Sequence, residues 1–456
     1  MTQTRIDVND IADVRVIADV RRSHRPAPPA EDPRRLLAGW IRTHRAADLA
    51  AHQRQYGRVP LEDYAGRSGR TRLIEAIGSA GLRGRGGAGF PTARKLRAVA
   101  AAARRPIVIA NGCDGEPASD KDHMLLDIAP HLVIDGAVLA AHAVGASEII
   151  LCVHRDDDLV ERLSRELAQR PDGEPAVRLV QVPHRYVSSE ASALVNFINT
   201  GDARPSSKPP HLAERGVRGR STLVDNVETL AHLALIARYG PEWFRACGTA
   251  DSPGTALVTI SGAVSHPGVY EAALGTRMGQ VLQLAGAPVV PVSAVLVGGY
   301  AGSWLPLPFA AGVPMDHAGL RAAGASLGVG PLRVLPTTAC GLAETARLLG
   351  YLAGESAAQC GPCMFGLPAI ADDLDRLVVG ARDAPDALRC LRGRLPVIEG
   401  RGACAHPDGA VRLAASALVA FEPDVRAHAT GHPCAGTRRR PQLPLPPREH
   451  RTGDWT

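Results

Sequence analysis

The sequence predicts an α/β domain followed by a small α+β module and then a helical domain. Helical patterns alternate with short β-rich runs over residues 61–245, which is typical of a parallel sheet covered by helices. Short β runs separated by Gly/Pro turns follow over residues 250–332, and residues 335–434 have a helical pattern. The order of these three sequence patterns predicts the order of the domains along the chain.

Individual elements follow from local composition. Residues 1–60 are rich in Arg, Ala and Pro, so we expect a loosely packed extension with one helix from Arg35 to Gln53. The apolar runs at 106–112 and 148–154 predict buried strands, with a helix from Leu132 to Val144 between them. The Pro/Arg-rich residues 437–456 predict a disordered tail.

Composition argues against several classes of protein. The net charge of +6 is spread along the chain and aromatic residues make up only 4%, so the basic surface does not indicate nucleic-acid binding. No apolar run reaches the ~20 residues of a membrane helix, and the N-terminus lacks the pattern of a secretory signal. We therefore expect a cytoplasmic protein without direct membrane insertion, which would reach any membrane complex through its partners.

A glycine-rich loop at Gly81–Phe90 is the most informative motif. Its glycines let successive backbone N–H groups point at one spot, and Arg85 adds positive charge, which suits a phosphate-bearing ligand. The loop glycines predicted to form this cradle are Gly84, Gly86, Gly87 and Gly89. The preceding residues have a helical pattern and no acidic residue occurs between Phe90 and Cys113, which excludes a Rossmann site. A flexible linker is the poorer alternative, because Phe90, Pro91 and Lys95 follow in an ordered pattern.

Polar residues follow the first predicted strand and recur in two later segments. Asn111, Asp114, Glu116 and Lys121 come at or after the end of a buried strand, where α/β domains place ligands, although this motif taken alone favours a solvated acidic turn. Residues 186–194 and 207–230 have the same character, and the segment DNVET at 225–229 is either a binding motif or a helix N-cap. The chain has only three lysines, Lys95, Lys121 and Lys208, and each lies in one of these motifs.

The nine cysteines point to a metal or redox site. An odd number without an export signal argues against a disulfide framework. Cys360 and Cys363 form a CxxC motif, and Cys404 lies further along the chain. Together they are compatible with an iron–sulfur cluster or Zn²⁺. The alternative, buried cysteines acting as small hydrophobic residues, is disfavoured by the CxxC motif.

These motifs, in this order, resemble the NADH-binding flavoprotein subunit of respiratory complex I. Its family includes the equivalent subunits of bidirectional hydrogenases and of NAD-dependent formate dehydrogenases. The similarity runs from about Leu73 to Cys434, and the segment GLRGRGGAGFPTARK matches almost residue for residue. The resemblance implies an α/β FMN-binding domain, a β-grasp module of the SLBB type and an all-α iron–sulfur domain.

The resemblance also assigns roles to residues. It implies that Phe90, Glu116, Tyr186 and Lys208 contact NADH, and that Cys360, Cys363 and Cys404 hold the cluster. The residues that it implies for FMN are Gly84, Arg85, Gly86, Gly87, Gly89, Lys95, Asn111, Asp114, Ser189, Glu190, Asp225, Asn226 and Thr229. Several positions depart from the family pattern, namely Cys113, Ala191, His211 and Ala357, where the family carries aspartate, glutamate, an aromatic residue and a cysteine ligand.

The function implied by the resemblance is electron transfer. Electrons would pass from NAD(P)H through FMN to a 4Fe-4S or 3Fe-4S cluster, and then to a thioredoxin-like 2Fe-2S subunit, a ferredoxin or a quinone-reducing partner. Because Ala191 and Ala357 depart from the pattern, the alternative is a diverged relay or assembly protein that does not use NADH but binds FMN and a ferredoxin-like partner. A zinc-binding structural protein is a third alternative.

Overall fold

A computed structural model describes residues 16–19, 35–102, 104–206, 211–380, 382–446 and 455–456. The first described element is strand β1 (Val16–Asp19). It pairs antiparallel with a strand some 250 residues further along the chain, so the N-terminal segment is part of a folded sheet.

The first half of the chain is built around a four-stranded parallel sheet. The central strands consist mainly of consecutive apolar residues that are almost all buried, as expected for a sheet covered on both faces. The strands lie in the order β4-β3-β2-β5, so the carboxyl ends of β2 and β5 are neighbours. Their bounds are β2 (Ile107–Asn111), β3 (Ile149–His154), β4 (Val177–Val182) and β5 (Thr222–Asn226). The two predicted strands are confirmed as β2 and β3.

Nine helices surround this sheet in the described part of the chain. They are α1 (Ala38–Thr43), α2 (Leu49–Tyr56), α3 (Gly66–Ala80), α4 (Thr92–Ala100), α5 (Lys121–Ile128), α6 (Pro130–Val144), α7 (Asp157–Ala168), α8 (Ala191–Thr200) and α9 (Val227–Arg245). Helix α6 is the predicted helix, and nearly all of its residues are buried. It crosses α9 so closely that a Cβ on Gly136 would lie 1.9 Å from the carbonyl oxygen of Leu230.

The N-terminal extension packs more tightly than its composition indicates. The expected single helix is two helices, because His44 adopts a left-handed conformation and Asp48 caps α2 by accepting a hydrogen bond from the Ala51 N–H. Leu36 and Leu37 are buried, and their N–H groups donate to the carboxylate of Glu271. This tertiary contact joins residues more than 230 positions apart, which local sequence patterns do not reveal.

A second sheet of six strands follows in the order β1-β7-β6-β10-β8-β9. Strand β10 is parallel to β6 and antiparallel to β8. Besides β1, the second sheet and the two helices of this module are β6 (Thr255–Gly262), β7 (Gly268–Ala273), α10 (Met278–Gln283), β8 (Val292–Val297), β9 (Ser303–Pro306), α11 (His317–Ala322) and β10 (Leu332–Pro336). This is the predicted small module, with its own apolar core.

The last region is helical, as predicted. Its helices are α12 (Gly341–Gly354), α13 (Leu367–Val379), α14 (Ala384–Ile398), α15 (His406–Ala420) and α16 (Glu422–Ala429). Trp304 from β9 lies in their core, where its ring meets Phe421 with centroids 5.2 Å apart and its indole N–H donates to the Thr345 hydroxyl at 2.9 Å. The module and the helical region therefore share a packed interface.

The expected disorder of the tail does not hold for residues 437–446. Leu443 is buried, and the N–H groups of Gln442 and Leu443 donate to the Glu344 carboxylate at 2.7 and 3.1 Å. Tyr300 donates its hydroxyl to the carbonyl of Pro444. Proline and arginine are compatible with this order because partners on α12 and the module satisfy the tail's backbone groups.

Among the described residues, no single helix is long and apolar enough to cross a membrane. Helices α5 and α6 together have the length and apolar composition of a membrane span, but they are bent by 98° relative to each other.

We expect Gly136→Ala to destabilise the protein despite the higher helix propensity of alanine. The new methyl group would enter the backbone of α9, and overpacking of this kind costs about 1–3 kcal/mol. Urea unfolding measures the change. Gly393→Ala is the matched control, since this exposed glycine of α14 has no described atom within 4 Å of where its Cβ would lie and should be neutral or slightly stabilising. Equal stability of Gly136→Ala and wild type would contradict the close helix crossing.

Candidate functional site

The glycine-rich loop is a closed turn between α3 and α4. Helix α3 ends at Gly81 in a left-handed conformation, which confirms that a helix, not a strand, precedes the loop. The Gly84 N–H donates to the Phe90 carbonyl at 2.9 Å, and this bond closes the turn. Gly87 and Gly89 have φ of 109° and 60°, a region that disfavours other residues. The loop shape therefore depends on its glycines.

The loop lies between the sheet edge and the β-rich module. A Cβ on Gly86 would lie 3.3 Å from Cβ of Asn226, the last residue of β5. On the other side, Gly87 forms an antiparallel bridge with Gly328. A Cβ on Gly89 would lie 2.5 Å from the imidazole of His317. Side chains on these glycines would fill the narrow space between the two parts.

Arg85 differs from its expected role, since its side chain is buried in protein contacts. Its Nη2 donates to the Thr255 carbonyl at 2.9 Å, and its Nε lies 3.7 Å from the Glu228 carboxylate. The Arg85 backbone N–H donates to the Thr229 hydroxyl at 2.8 Å. Arg85 and Thr229 thus fix the loop to β6 and α9, and positive charge for a ligand must come from elsewhere.

Lys95 supplies that charge at the sheet edge. Its ammonium donates to the Val224 carbonyl at 2.9 Å and to Asp225 at 2.8 Å, and a third of its side chain is exposed. Asp225 is buried, and its second carboxylate oxygen has no hydrogen-bond partner within the described residues. A partly exposed cation and an unsatisfied buried acceptor therefore lie beside the loop.

The ends of β2 and β5 are held together by their asparagines. Asn111 and Asn226 are paired residues of the two strands, and the Asn226 amide donates to the Asn111 carbonyl at 3.4 Å. The Asn111 amide in turn donates to the Ser189 carbonyl at 2.9 Å. Because these strands are parallel, their polar ends face the same crevice, as the sequence predicted.

A buried group of charges lies directly beneath this edge. The Lys121 ammonium, with 1% of its side chain exposed, contacts Asp122 at 2.5 Å and Glu228 at 2.9 Å. Burial lowers the pKa of Lys121, but the two carboxylates outweigh it and the net pKa is raised. Burial alone would raise the pKa of Glu228, yet Lys121 and further partners lower it to about 2. Both groups are therefore charged at neutral pH.

Glu116 and Tyr186 form a second polar pair facing the module. The Tyr186 hydroxyl donates to Glu116 at 2.9 Å, and the Ala118 N–H donates to its other carboxylate oxygen at 3.1 Å. Burial raises the pKa of Glu116 to about 7, although these hydrogen bonds partly oppose the shift. A Cβ on Gly299 would lie 2.4 Å from the Glu116 carboxyl, so the module comes close to this pair.

The remaining predicted ligand residues have mixed placements. One carboxylate oxygen of Asp114 accepts from the N–H groups of Asp122 and His123, the other has no hydrogen-bond partner within the described residues, and burial raises the pKa of this group well above the usual range. Glu190 caps α8 by accepting from the Ser192 and Ala193 N–H groups, while the Ser189 hydroxyl donates to the Tyr186 carbonyl. The polar side chains of these residues thus make hydrogen bonds within the protein.

Two further residues, Phe90 and Lys208, are predicted to contact the donor. Phe90 is 42% exposed with the Arg94 guanidinium 5.3 Å from its ring centroid, which leaves an aromatic face near the loop. Lys208 lies outside the described residues.

The predicted cluster cysteines come together in the helical region. Cys363 lies in a short π-helical turn, Pro362–Gly366, and Cys404 lies just before α15. Burial raises the pKa of Cys363 to about 12, and the neighbouring Cys360 and Cys404 thiols add to the shift. Ala357 packs instead against an apolar cluster that contains Val187. The structure thus brings three thiols near one another, while Ala357, which stands where the family pattern has a cysteine, contacts apolar residues.

Sequence reasoning missed several residues that shape the site. His317 faces Gly89, and burial together with Arg85 and Arg83 lowers its imidazole pKa to about 4. Glu355 binds the Arg185 guanidinium at 3.2 Å and accepts from the Tyr186 N–H at 3.0 Å. The short β runs with Gly/Pro turns over residues 254–305 predicted a module. No sequence signal predicted which of its residues face the glycine-rich loop.

Three family models match the chain in the same order as its architecture. The Nuo51 FMN-binding domain matches residues 77–235, the SLBB domain matches 257–297, and the NADH-ubiquinone oxidoreductase-F iron-sulfur binding region matches 338–428. These ranges contain the glycine-rich loop, the second sheet and the three cysteines. They define the class as an FMN-binding, iron–sulfur electron-transfer protein.

Individual relatives agree with this class. The F-2 subunit of NADH-quinone oxidoreductase of Rhizobium meliloti is 31% identical over 380 residues, covering 79% of this chain and 90% of the relative. The alpha subunit of the NAD-reducing hydrogenase HoxS of Cupriavidus necator is 36% identical over 230 residues, 47% of this chain and 38% of that relative. A crystal structure of NAD⁺-reducing [NiFe]-hydrogenase in the H₂-reduced state matches with a TM-score of 0.75 and 30% identity, covering 86% of this chain and 68% of that one.

The chain belongs to the family of F-type subunits of NADH-quinone oxidoreductase, which are the NADH-binding flavoproteins of these complexes. FMN, an iron–sulfur cluster and NADH are the cofactors and donor of this family. The residues present fit FMN, because the loop leaves space where a Cβ would intrude and Lys95 lies beside it. The three grouped thiols fit a cluster that needs one further ligand.

The titration of Glu116 gives a test of this geometry. Its folded pKa of about 7 exceeds the ordinary 4.5, so its contribution to stability is full below pH 4.5 and is lost as pH rises towards 7. Relative to Glu116→Gln, the unfolding free energy of the wild type should therefore fall between pH 5 and 8, by on the order of 3 kcal/mol. Urea unfolding at each pH measures it.

The control for this titration is Glu399→Gln, an exposed position at the end of α14. This variant should follow the wild type across the same pH range. A constant difference between wild type and Glu116→Gln would contradict the burial of the Glu116 carboxyl.

Proposed function

We propose that this protein accepts a hydride from NADH at FMN bound on the Gly84–Gly89 loop. The electrons would leave through a cluster at Cys360, Cys363 and Cys404. The observation that carries the proposal is the glycine-lined space at the carboxyl ends of β2 and β5, with Lys95 beside it. Bound FMN would supply the conversion of a two-electron donor into single-electron transfer, chemistry that side chains lack.

The chain's own residues would hold the flavin in a fixed place. Backbone N–H groups of the loop and the Lys95 ammonium suit the phosphate. Asn111 and Asn226 lie at the end of the same strands. The Asn111 amide donates to the Ser189 carbonyl, and the Asn226 amide donates to Asp122 and to the Asn111 carbonyl, so a contact of either amide with the cofactor would exchange one of these bonds. Among the described residues, the free carboxylate oxygen of Asp225 offers a further acceptor.

On the donor side, Phe90, Glu116 and Tyr186 would orient the nicotinamide nucleotide. The Phe90 ring is exposed enough to stack on a planar group. Glu116 is held by the Tyr186 hydroxyl, and its pKa near 7 lets it accept or donate a hydrogen bond around neutral pH. Lys208 is proposed for the same role on its sequence motif alone.

Tyr186 also connects the donor side with the cluster region. Its hydroxyl binds Glu116, while its N–H binds Glu355, which begins the segment carrying Ala357 and Cys360. Its ring lies 5.4 Å from that of His406, two residues after Cys404. The proposed electron exit would therefore lie next to the proposed donor pocket.

The partner would dock where the cluster cysteines approach the surface. Met364 and Phe365 follow Cys363 directly and are 50% and 71% exposed. Large apolar side chains at this exposure are typical of a protein contact. We propose a thioredoxin-like 2Fe-2S subunit or a ferredoxin as the acceptor, within a larger complex of which this chain is a peripheral subunit.

A second candidate is a relay or assembly protein that binds FMN but does not use NADH. It is favoured by Ala191 and Ala357, each of which removes a functional group from the family pattern. In the structure, Ala191 opens α8, and the neighbouring Glu190 carboxylate is already used as its N-cap.

We expect FMN, not FAD, to be released from the protein by acid, because the loop offers one phosphate site and no adenosine fold. Gly86→Leu should abolish flavin binding, since its side chain would fill the space next to Asn226. Chromatography identifies the cofactor. The control is Gly312→Leu, at an exposed glycine with no described atom near where its Cβ would lie. Full FMN occupancy in Gly86→Leu would contradict the assignment of the cradle.

Ala191→Glu should tighten NADH binding by restoring a carboxylate at the start of α8. One charge-assisted hydrogen bond is worth about 1.5–3 kcal/mol, or roughly ten- to a hundred-fold in affinity. Stopped-flow reduction of the flavin at varied NADH measures the apparent Kd. Ala191→Gln adds the same bulk without the charge and should improve affinity less. If neither variant differs from wild type, Ala191 does not face the donor.

Ala357→Cys should stabilise the cluster, because four-iron clusters are normally held by four thiolates. After anaerobic reconstitution, iron content and electron paramagnetic resonance should show a four-iron cluster that survives brief air exposure in the variant. The wild type should convert to a three-iron signal. Ala357→Ser, similar in size but a poorer ligand, should behave as wild type. No difference between cysteine and serine would place Ala357 outside the cluster.

A further inference from the structure

A second group of metal-binding side chains lies apart from the proposed cluster. Cys340, His428 and Cys434 bring two Sγ atoms and one imidazole nitrogen within 4.8 Å of one another. Cys340 and His428 are almost fully buried, and Cys434 is half-buried. The Cys340 Sγ lies 3.8 Å from the His428 Nε2. Two soft thiolates and an imidazole at this spacing are a typical zinc ligand set.

The hydrogen bonds of His428 orient it for this role. Its Nδ1 lies 3.0 Å from the Val378 carbonyl, which can only accept, so Nδ1 carries the proton. The Nε2 lone pair therefore points towards the two cysteines, where the Cys434 N–H now approaches it at 3.2 Å. Metal-binding histidines are commonly oriented by such a bond from the other ring nitrogen to a backbone carbonyl.

The spacing also fits the size of the ion. With Zn–S of about 2.3 Å and Zn–N of about 2.0 Å, ligand atoms of a tetrahedral site lie roughly 3.5–3.8 Å apart. The Cys340 Sγ and the His428 Nε2 lie 3.8 Å apart, about 0.3 Å more than the ~3.5 Å of a sulfur–nitrogen pair in such a site, and all three ligand atoms lie within 4.8 Å of one another. The Ala343 N–H donates to the Cys340 Sγ at 3.4 Å from the first turn of α12, a bond that stabilises negative charge on the sulfur and partly opposes the cost of burying it.

We propose that Cys340, His428 and Cys434 bind one Zn²⁺ ion, with water as the fourth ligand on the partly exposed side of Cys434. Binding displaces the two thiol protons to solvent and leaves the oxidation state of every atom unchanged. This site is independent of the flavin and of the cysteines at 360, 363 and 404, and it does not rest on the proposed function.

The ion would tie four segments of the chain together. Cys340 precedes α12, Val378 is at the end of α13, His428 is in α16, and Cys434 begins the return of the chain towards the tail. The segment after Cys434 packs closely against the start of α12, since a Cβ on Gly436 would lie 2.5 Å from the Cys340 backbone nitrogen. The zinc site would therefore anchor residues 437–446 on the helical region.

The metal content of the full-length protein tests the proposal. Protein purified anaerobically with a thiol reductant and supplied with Zn²⁺, then desalted, should retain one zinc per chain. Cys434→Ser and His428→Gln should lose it, while Cys404→Ser and Cys247→Ser, the latter a buried cysteine elsewhere, should keep it. Loss of zinc in Cys404→Ser with retention in Cys434→Ser would overturn the proposal, because the ion would then occupy the other cysteines.

Two measurements on the wild-type chain keep the test valid if a variant fails to fold. Co²⁺ in place of Zn²⁺ should give the intense thiolate charge-transfer and tetrahedral d–d bands, and these should persist in Cys404→Ser. Chelation should speed tryptic cleavage at Arg438–Arg440 at least tenfold. A Cys340–Cys434 disulfide in the reduced preparation, octahedral cobalt bands or unchanged cleavage would each contradict the site.

Discussion

A single buried carboxylate, Glu228, holds together the segments that form the proposed flavin site. It accepts the Leu257 N–H of β6 at 2.9 Å, contacts the Lys121 ammonium of α5 at 2.9 Å, and lies 3.7 Å from Arg85 of the glycine-rich loop. Since Lys121 lowers its pKa to about 2 in spite of burial, it stays ionised at neutral pH. Removing it would leave two cations buried without sufficient compensation, which is strongly unfavourable.

This constraint explains why the loop can be both glycine-rich and ordered. Glycines widen the conformational choice of a loop and so raise the entropic cost of fixing it. Here Arg85 binds Thr229, Thr255 and Glu228, while Gly87 pairs with Gly328 of the module. The backbone N–H groups are thereby held in place without a side chain entering the ligand space, and such preorganisation is what a phosphate site requires.

The sequence predicted much of this arrangement, because its signals are local. Apolar runs predicted strands β2 and β3, the glycine-rich segment predicted an ordered loop, and CxxC with Cys404 predicted three thiols near one another. The structure added contacts between residues far apart in the chain. These include His317 against Gly89, the N-terminal strand on β7, and the pairing of Cys340 with His428 and Cys434. No periodicity or spacing encodes such contacts, since they arise only when segments far apart in the chain pack together.

Arg85 illustrates the same limit within a motif. An arginine in a phosphate-binding loop suggests a direct ligand contact, yet its guanidinium turns towards Glu228 and the Thr255 carbonyl. A sequence shows that a charge is present but not which partner it meets. The partner decides whether the charge binds a ligand or builds the site that binds it.

The central claim is that NADH reduces a flavin held at the end of this parallel sheet. Its most direct test is an anaerobic titration of FMN-reconstituted protein with NADH, followed by visible absorption. We expect the flavin bands to bleach with about one NADH per flavin, before the broader cluster absorption changes. A flavin that stays bound and oxidised in excess NADH would contradict the claim.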